Sequence, residues 1–97
     1  LGRWFLEPIR MIKILAVQPQ GERTLELQFS DGSRGCWSGE ELIARDTVLT
    51  RPLTDPVYFN RAFVESGALA WPNGLELSPQ ALHARMMEAG LLTKRAA

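Results

Sequence analysis

From residue 24 to residue 30 the chain alternates without error: Leu25, Leu27 and Phe29 fall on one side, Glu26 and Gln28 on the other. A period of two sends successive side chains to opposite faces, so this stretch reads as a β-strand with one dry face. Asp31-Gly32 follows at once, the dipeptide that best signals a two-residue hairpin turn. Counting back from such a turn pairs Phe29 with Arg34, Leu27 with Cys36 and Leu25 with Ser38. On that register Cys36 is a small core residue beneath Leu27, and Trp37 faces the other way, beside Glu26. Residues 12–18 are short, apolar and β-branched, and read as a preceding strand with little water on either face.

The rest of the chain is punctuated by helix starts and turns. Ser38-Gly39-Glu40-Glu41 has the form of a capping box, with Ser38 as N-cap and Glu41 three residues on. Asp55-Pro56 places an N-cap carboxylate before a proline at the first helical position, and Phe59, Ala62 and Phe63 then share one apolar face. Ser78-Pro79 repeats the design, Gly90 ends the helix, and Leu82, Met86 and Ala89 form its stripe. Between these helices, residues 68–71 read as a strand running into Pro72-Asn73-Gly74. Proline fixes φ near −65°, and Asn-Gly supplies the two positive φ angles of a type I′ turn before a short pairing segment, residues 75–77. Residues 44–54 look irregular, and residues 91–97 look like a frayed tail. The expected fold is α+β: a small antiparallel sheet, made of a three-stranded N-terminal meander plus a short C-terminal hairpin, with two to three short helices on one side.

With 97 residues there is one domain and a thin core. A chain this size buries only a little over ~60% of its unfolded surface, which favours association with a copy of itself or a partner. Eleven basic residues cancel eleven acidic ones, so no long-range field steers polyanions, and direct nucleic-acid binding is not expected. The single cysteine suits a reducing cytosol, and no apolar run approaches the ~20 residues of a membrane span. Residues 1–10 have neither a sustained apolar region nor a cleavage pattern, and Met11 opens the strand pattern. They read as a non-native or upstream leader to a domain over residues 11–97. The alternative is an arm whose Trp4, Phe5 and Leu6 dock onto the domain or a neighbour.

Chemistry is sparse. His83 is the only histidine and has no second ligand at metal spacing, so a solvated or partly packed ring is favoured over catalysis. Glu40 and Glu41 are adjacent on a helix and do not face each other, and first-turn acids are explained by the helix dipole. Gly32, Gly35 and Gly39 do not form a phosphate loop, and Arg45, Arg51 and Arg61 lack the basic face that nucleic acid needs. Neither a catalytic group, a metal nor a cofactor is expected. The aromatic residues stay ambiguous. Trp71 and Phe59 read as core more readily than as interface, and Trp37 reads equally as either.

Three stretches together resemble a bacterial domain family of unassigned function, catalogued under the number 2442. They are Phe29-Ser30-Asp31-Gly32, Leu53-Thr54-Asp55-Pro56-Val57-Tyr58-Phe59, and Trp71-Pro72-Asn73-Gly74-Leu75-Glu76-Leu77-Ser78-Pro79. The resemblance spans residues 12–82 and implies a small α+β fold and a regulatory or interaction role near toxin–antitoxin-type genes. It implies no active site, and with seven residues after Gly90 the DNA-binding appendage some members carry is not expected. The sequence therefore points to a non-enzymatic, cytoplasmic protein-interaction module, a homodimer or the partner of another protein. The alternative is a small-ligand domain with Trp71, Asn73 and Tyr58 lining a groove.

Overall fold

The alternating segment forms the strand its pattern requires. In a computed structural model that describes residues 11–94, β2 (Thr24–Phe29) buries Leu25, Leu27 and Phe29 and leaves Glu26 and Gln28 half-exposed. It lies between β1 (Ile14–Pro19) and β3 (Ser33–Ser38), and β7 (Thr93–Lys94) adds a fourth antiparallel strand beside β3. The expected tail thus contains a strand, too short and too exposed to carry an alternating pattern. Among the described residues β1 is one edge of this sheet and β7 the other. Ile14 is buried, but Leu15 on the other face is exposed, so only one side of β1 is dry. The readings of residues 1–10, with Trp4, Phe5 and Leu6, lie outside the described residues, as do residues 95–97.

The β2–β3 register differs by one residue from the two-residue turn. Leu25 faces Trp37, Glu26 faces Cys36 and Leu27 faces Gly35. The loop has three residues, Ser30, Asp31 and Gly32, and only Gly32 takes a positive φ, at 91°. The Gly32 N–H donates to the Phe29 carbonyl at 3.1 Å, and Asp31 Oδ1 accepts from the Ser33 N–H at 2.9 Å and the Ser33 hydroxyl at 2.6 Å. An aspartate that caps its own turn in this way stabilises a three-residue loop ending in a left-handed glycine. A slip of one residue exchanges the two faces. Cys36 is therefore exposed, and Trp37 lies on the core side.

Pro72-Asn73-Gly74 repeats the same loop rather than a type I′ turn. Gly74 alone has a positive φ, at 94°, and donates to the Trp71 carbonyl at 3.1 Å, while Asn73 Oδ1 accepts from the Leu75 N–H at 3.1 Å. The type I′ geometry goes instead to Ser66-Gly67, with φ of 51° and 86°, joining β4 (Phe63–Glu65) to β5 (Ala68–Ala70). Phe63 thus begins a strand instead of extending a helix face. β5 also pairs with β6 (Glu76–Leu77), completing a second, three-stranded sheet. The Ile14 N–H donates to the Gly67 carbonyl at 2.8 Å and ties the two sheets together.

Among the described residues three α-helices cover the buried face. In α1 (Glu40–Ala44) the N-cap is Gly39, not Ser38; Ser38 Oγ accepts from the Glu40 N–H at 3.2 Å, and Glu41 turns away to α3. Only glycine fits at position 39, because a Cβ there would overlap the Phe59 ring. α2 (Pro56–Phe59) is one turn long and starts as its sequence predicts, with Asp55 Oδ1 accepting from the Val57 N–H at 3.0 Å. α3 (Pro79–Glu88) is capped by Ser78, which accepts from the Ala81 N–H at 3.2 Å. Its buried stripe is Leu82, His83 and Met86, and Ala89 is exposed. These residues close a core around Phe29, Leu53, Phe59, Leu69 and Trp71.

Candidate binding groove at Trp37

Three of the four residues singled out for binding bond to the fold itself. Trp71 is 1% exposed, and its indole N–H donates to the Phe59 carbonyl at 3.0 Å. Tyr58 Oη accepts from the Asn73 N–H at 3.1 Å, and the Arg61 guanidinium lies 5.9 Å from the centre of the Tyr58 ring. Asn73 Nδ2 donates to the Leu49 carbonyl at 3.1 Å. Together they join the segment around Leu49, α2 and the β5–β6 hairpin. This is the physical content of the Trp-Pro-Asn-Gly motif: one apolar anchor and one side-chain amide tie three segments together.

Trp37 is different. It ends an aromatic row, stacked near-parallel on Phe59 at 6.3 Å and tilted against Trp71 at 6.3 Å, and it remains partly exposed. Beside it opens a groove of about 230 Å³ between α1 and α3. One wall is α3 with its N-cap, where Ser78, Ala81, Leu82 and Arg85 follow helical spacing and so share one side. The other is α1, through Glu41 and Leu42, with its C-cap Arg45. Arg85 Nη1 donates to Glu41 Oε1 at 2.6 Å, tying the walls together. A second concavity of about 490 Å³ shares Trp37, Ser38, Glu41 and Arg85 and continues along α3 to Glu88 and Leu91. Neither hollow is lined by Tyr58, Trp71 or Asn73.

The groove has an apolar floor and charged walls. Leu42 and Leu82 are buried beneath it. Among the described residues the Arg45 guanidinium has no ion-pair or hydrogen-bond partner, whereas the carboxylate nearest along α1, Glu41, is held by Arg85. The charged residues of this groove carry only a faint sequence signal. Positions 78, 81, 82 and 85 have the spacing of one helix side, but nothing local pairs Glu41 with a residue 44 positions away.

His83 belongs to a separate polar cluster at the β2–β3 loop. Its Nε2 lies 2.9 Å from Asp31 Oδ2, and its ring meets Phe29 edge-on at 5.0 Å. Burial alone would raise the Asp31 pKa; the hydroxyl and N–H of Ser33, and then His83, outweigh it and hold the carboxyl at about 2. The carboxylate sits between hydroxyl and imidazole, and the Ser33 hydroxyl is spent on Asp31 Oδ1. An activated nucleophile needs its base within hydrogen-bond reach, and this order of groups does not provide that. His83 is thus the packed histidine the sequence favours, with a partner 52 residues away that local pattern cannot reveal.

Among the described residues there is no group of three or more His, Cys, Asp or Glu placed to hold a metal, and no helix long and apolar enough to cross a membrane. No protein-family model, curated protein or solved structure matches the chain.

Proposed function

We propose that the protein is a non-enzymatic interaction module that presents the groove at Trp37 to a partner protein. The observation that carries this reading is the partly exposed indole on the floor of a groove with charged walls. Tryptophan and arginine are the side chains that most often anchor protein interfaces. The polar cluster at His83, the only histidine, lacks the order of groups that nucleophilic chemistry needs, which favours binding over turnover. The resemblance of the Trp71 and Asp55 motifs to the bacterial family numbered 2442 agrees with a regulatory role, in the cytoplasm and in a toxin–antitoxin-type setting.

Photo-crosslinking tests the reading. A photoreactive residue at Ala81, in the groove wall, is compared with one at Cys36, on the opposite sheet face. A discrete adduct from position 81 and none from position 36, in the native cell, is expected. Equal labelling from both positions, or none from either, would contradict it. An adduct whose mass is twice that of the chain identifies the partner as a second copy.

A further inference from the structure

We propose that the groove accepts an extended acidic segment of a partner protein, with an apolar side chain on Trp37 and a carboxylate on Arg45. This rests on the reading of the groove as the interaction face and adds the chemistry of its occupant.

Charge complementarity selects the occupant. Three charged side chains line the deeper part of the groove: Glu41, Arg45 and Arg85. Glu41 and Arg85 neutralise each other at 2.6 Å, which leaves Arg45, among the described residues, as the uncompensated charge. A guanidinium offers a planar fork that pairs with a carboxylate through two parallel hydrogen bonds. At the far end of the trough the charge reverses, because Glu88 lines the continuation past Met86. A carboxylate is therefore attracted to the Arg45 end and repelled from the other, which fixes the direction of the occupant.

Length agrees with an extended segment. The wall follows α3 from Ser78 to Glu88, and at 1.5 Å per residue that run is about 15 Å long. At ~3.3 Å per extended residue it accommodates about four or five residues. The apolar floor of Trp37, Leu42 and Leu82 sits next to Arg45, so one anchor and one acidic group are engaged together.

The test titrates the isotope-labelled full chain with two mixtures of acetylated, amidated pentapeptides. Both carry one Leu, Phe or Trp; one adds two Asp or Glu, the other two Lys or Arg. The acidic mixture is expected to shift the Trp37 indole N–H and Arg45 side-chain resonances at concentrations at least about tenfold lower than the basic mixture. Arg45→Glu, at an exposed position, is expected to reverse that preference without altering the spectrum elsewhere. Equal or stronger binding of the basic mixture overturns the acidic assignment and leaves the interaction module standing. Concentration-dependent shifts of the same resonances without peptide do likewise, and assign the groove to a second copy. No shift at Trp37 with either mixture at millimolar concentration also overturns the proposal. The crosslink from position 81 then decides separately whether the groove is an interaction face.

Discussion

Replacing Asp31 with Asn removes a charge from the polar cluster while keeping the side chain's shape and an Oδ1 acceptor for Ser33. The folded-state pKa of about 2 lies below the ordinary 3.8, so folding favours the charged carboxylate. The resulting stability is fully present above the unfolded value and is lost as pH falls through about 2. At about 1.36 kcal/mol per pH unit, the displacement corresponds to roughly 2 kcal/mol. Solvent screening takes little from that figure, because the Asp31 side chain is only 16% exposed. Urea unfolding of both proteins, followed by circular dichroism from about pH 7 to about pH 2, measures the difference directly. The remaining carboxylates are common to both proteins, so their contributions cancel in the difference. The variant should be less stable by ~2 kcal/mol at neutral pH, with the gap shrinking below ~0.5 kcal/mol near pH 2. A gap that stays constant across the range would mean that loop geometry, not charge, is responsible. No gap at neutral pH would show that the Asp31 charge contributes nothing to stability.

Trp71→Ala should destabilise by roughly 3–5 kcal/mol in chemical denaturation, since it removes a fully buried ring and its bond to the Phe59 carbonyl; a loss under ~1 kcal/mol would contradict that burial. Asn73→Ala should lower stability by ~1–2 kcal/mol, because the Leu49 carbonyl and the Leu75 N–H lose their partners together; an unchanged melting temperature would contradict the tether. Cys36 should react with a maleimide in the native protein as fast as a free thiol, and protection that disappears only on unfolding would restore the register read from a two-residue turn.

What was legible in the sequence is what local chemistry decides. The alternation in β2, the caps at Asp55 and Ser78 and the pairing across Pro72-Asn73-Gly74 appear where their patterns place them. The register of the first hairpin was not legible, because Asp-Gly suits both a two-residue turn and a three-residue loop ending in a left-handed glycine. Asp31 selects the second by binding Ser33, and that single choice moves Cys36 outward and Trp37 inward. β4 and β7 carry no alternation because they are short and mostly exposed. The capping box failed because Gly39, pressed against Phe59, takes the cap position and frees Glu41 to reach Arg85. The groove therefore rests on a contact between α1 and α3 that no window of local sequence contains. Of the four residues singled out for binding, Trp37 lines that groove, while Tyr58, Trp71 and Asn73 are occupied in holding the scaffold behind it.

Fluorine NMR of the protein labelled with 5-fluorotryptophan, recorded as the partner captured from position 81 is added, decides whether the groove at Trp37 is the binding face. Trp37 and Trp71 sit in one aromatic row, yet only Trp37 is partly exposed in the groove. The Trp37 resonance is expected to move in proportion to complex formed while that of Trp71 stays in place. A complex that forms with the Trp37 resonance unmoved would place the binding face elsewhere on the protein.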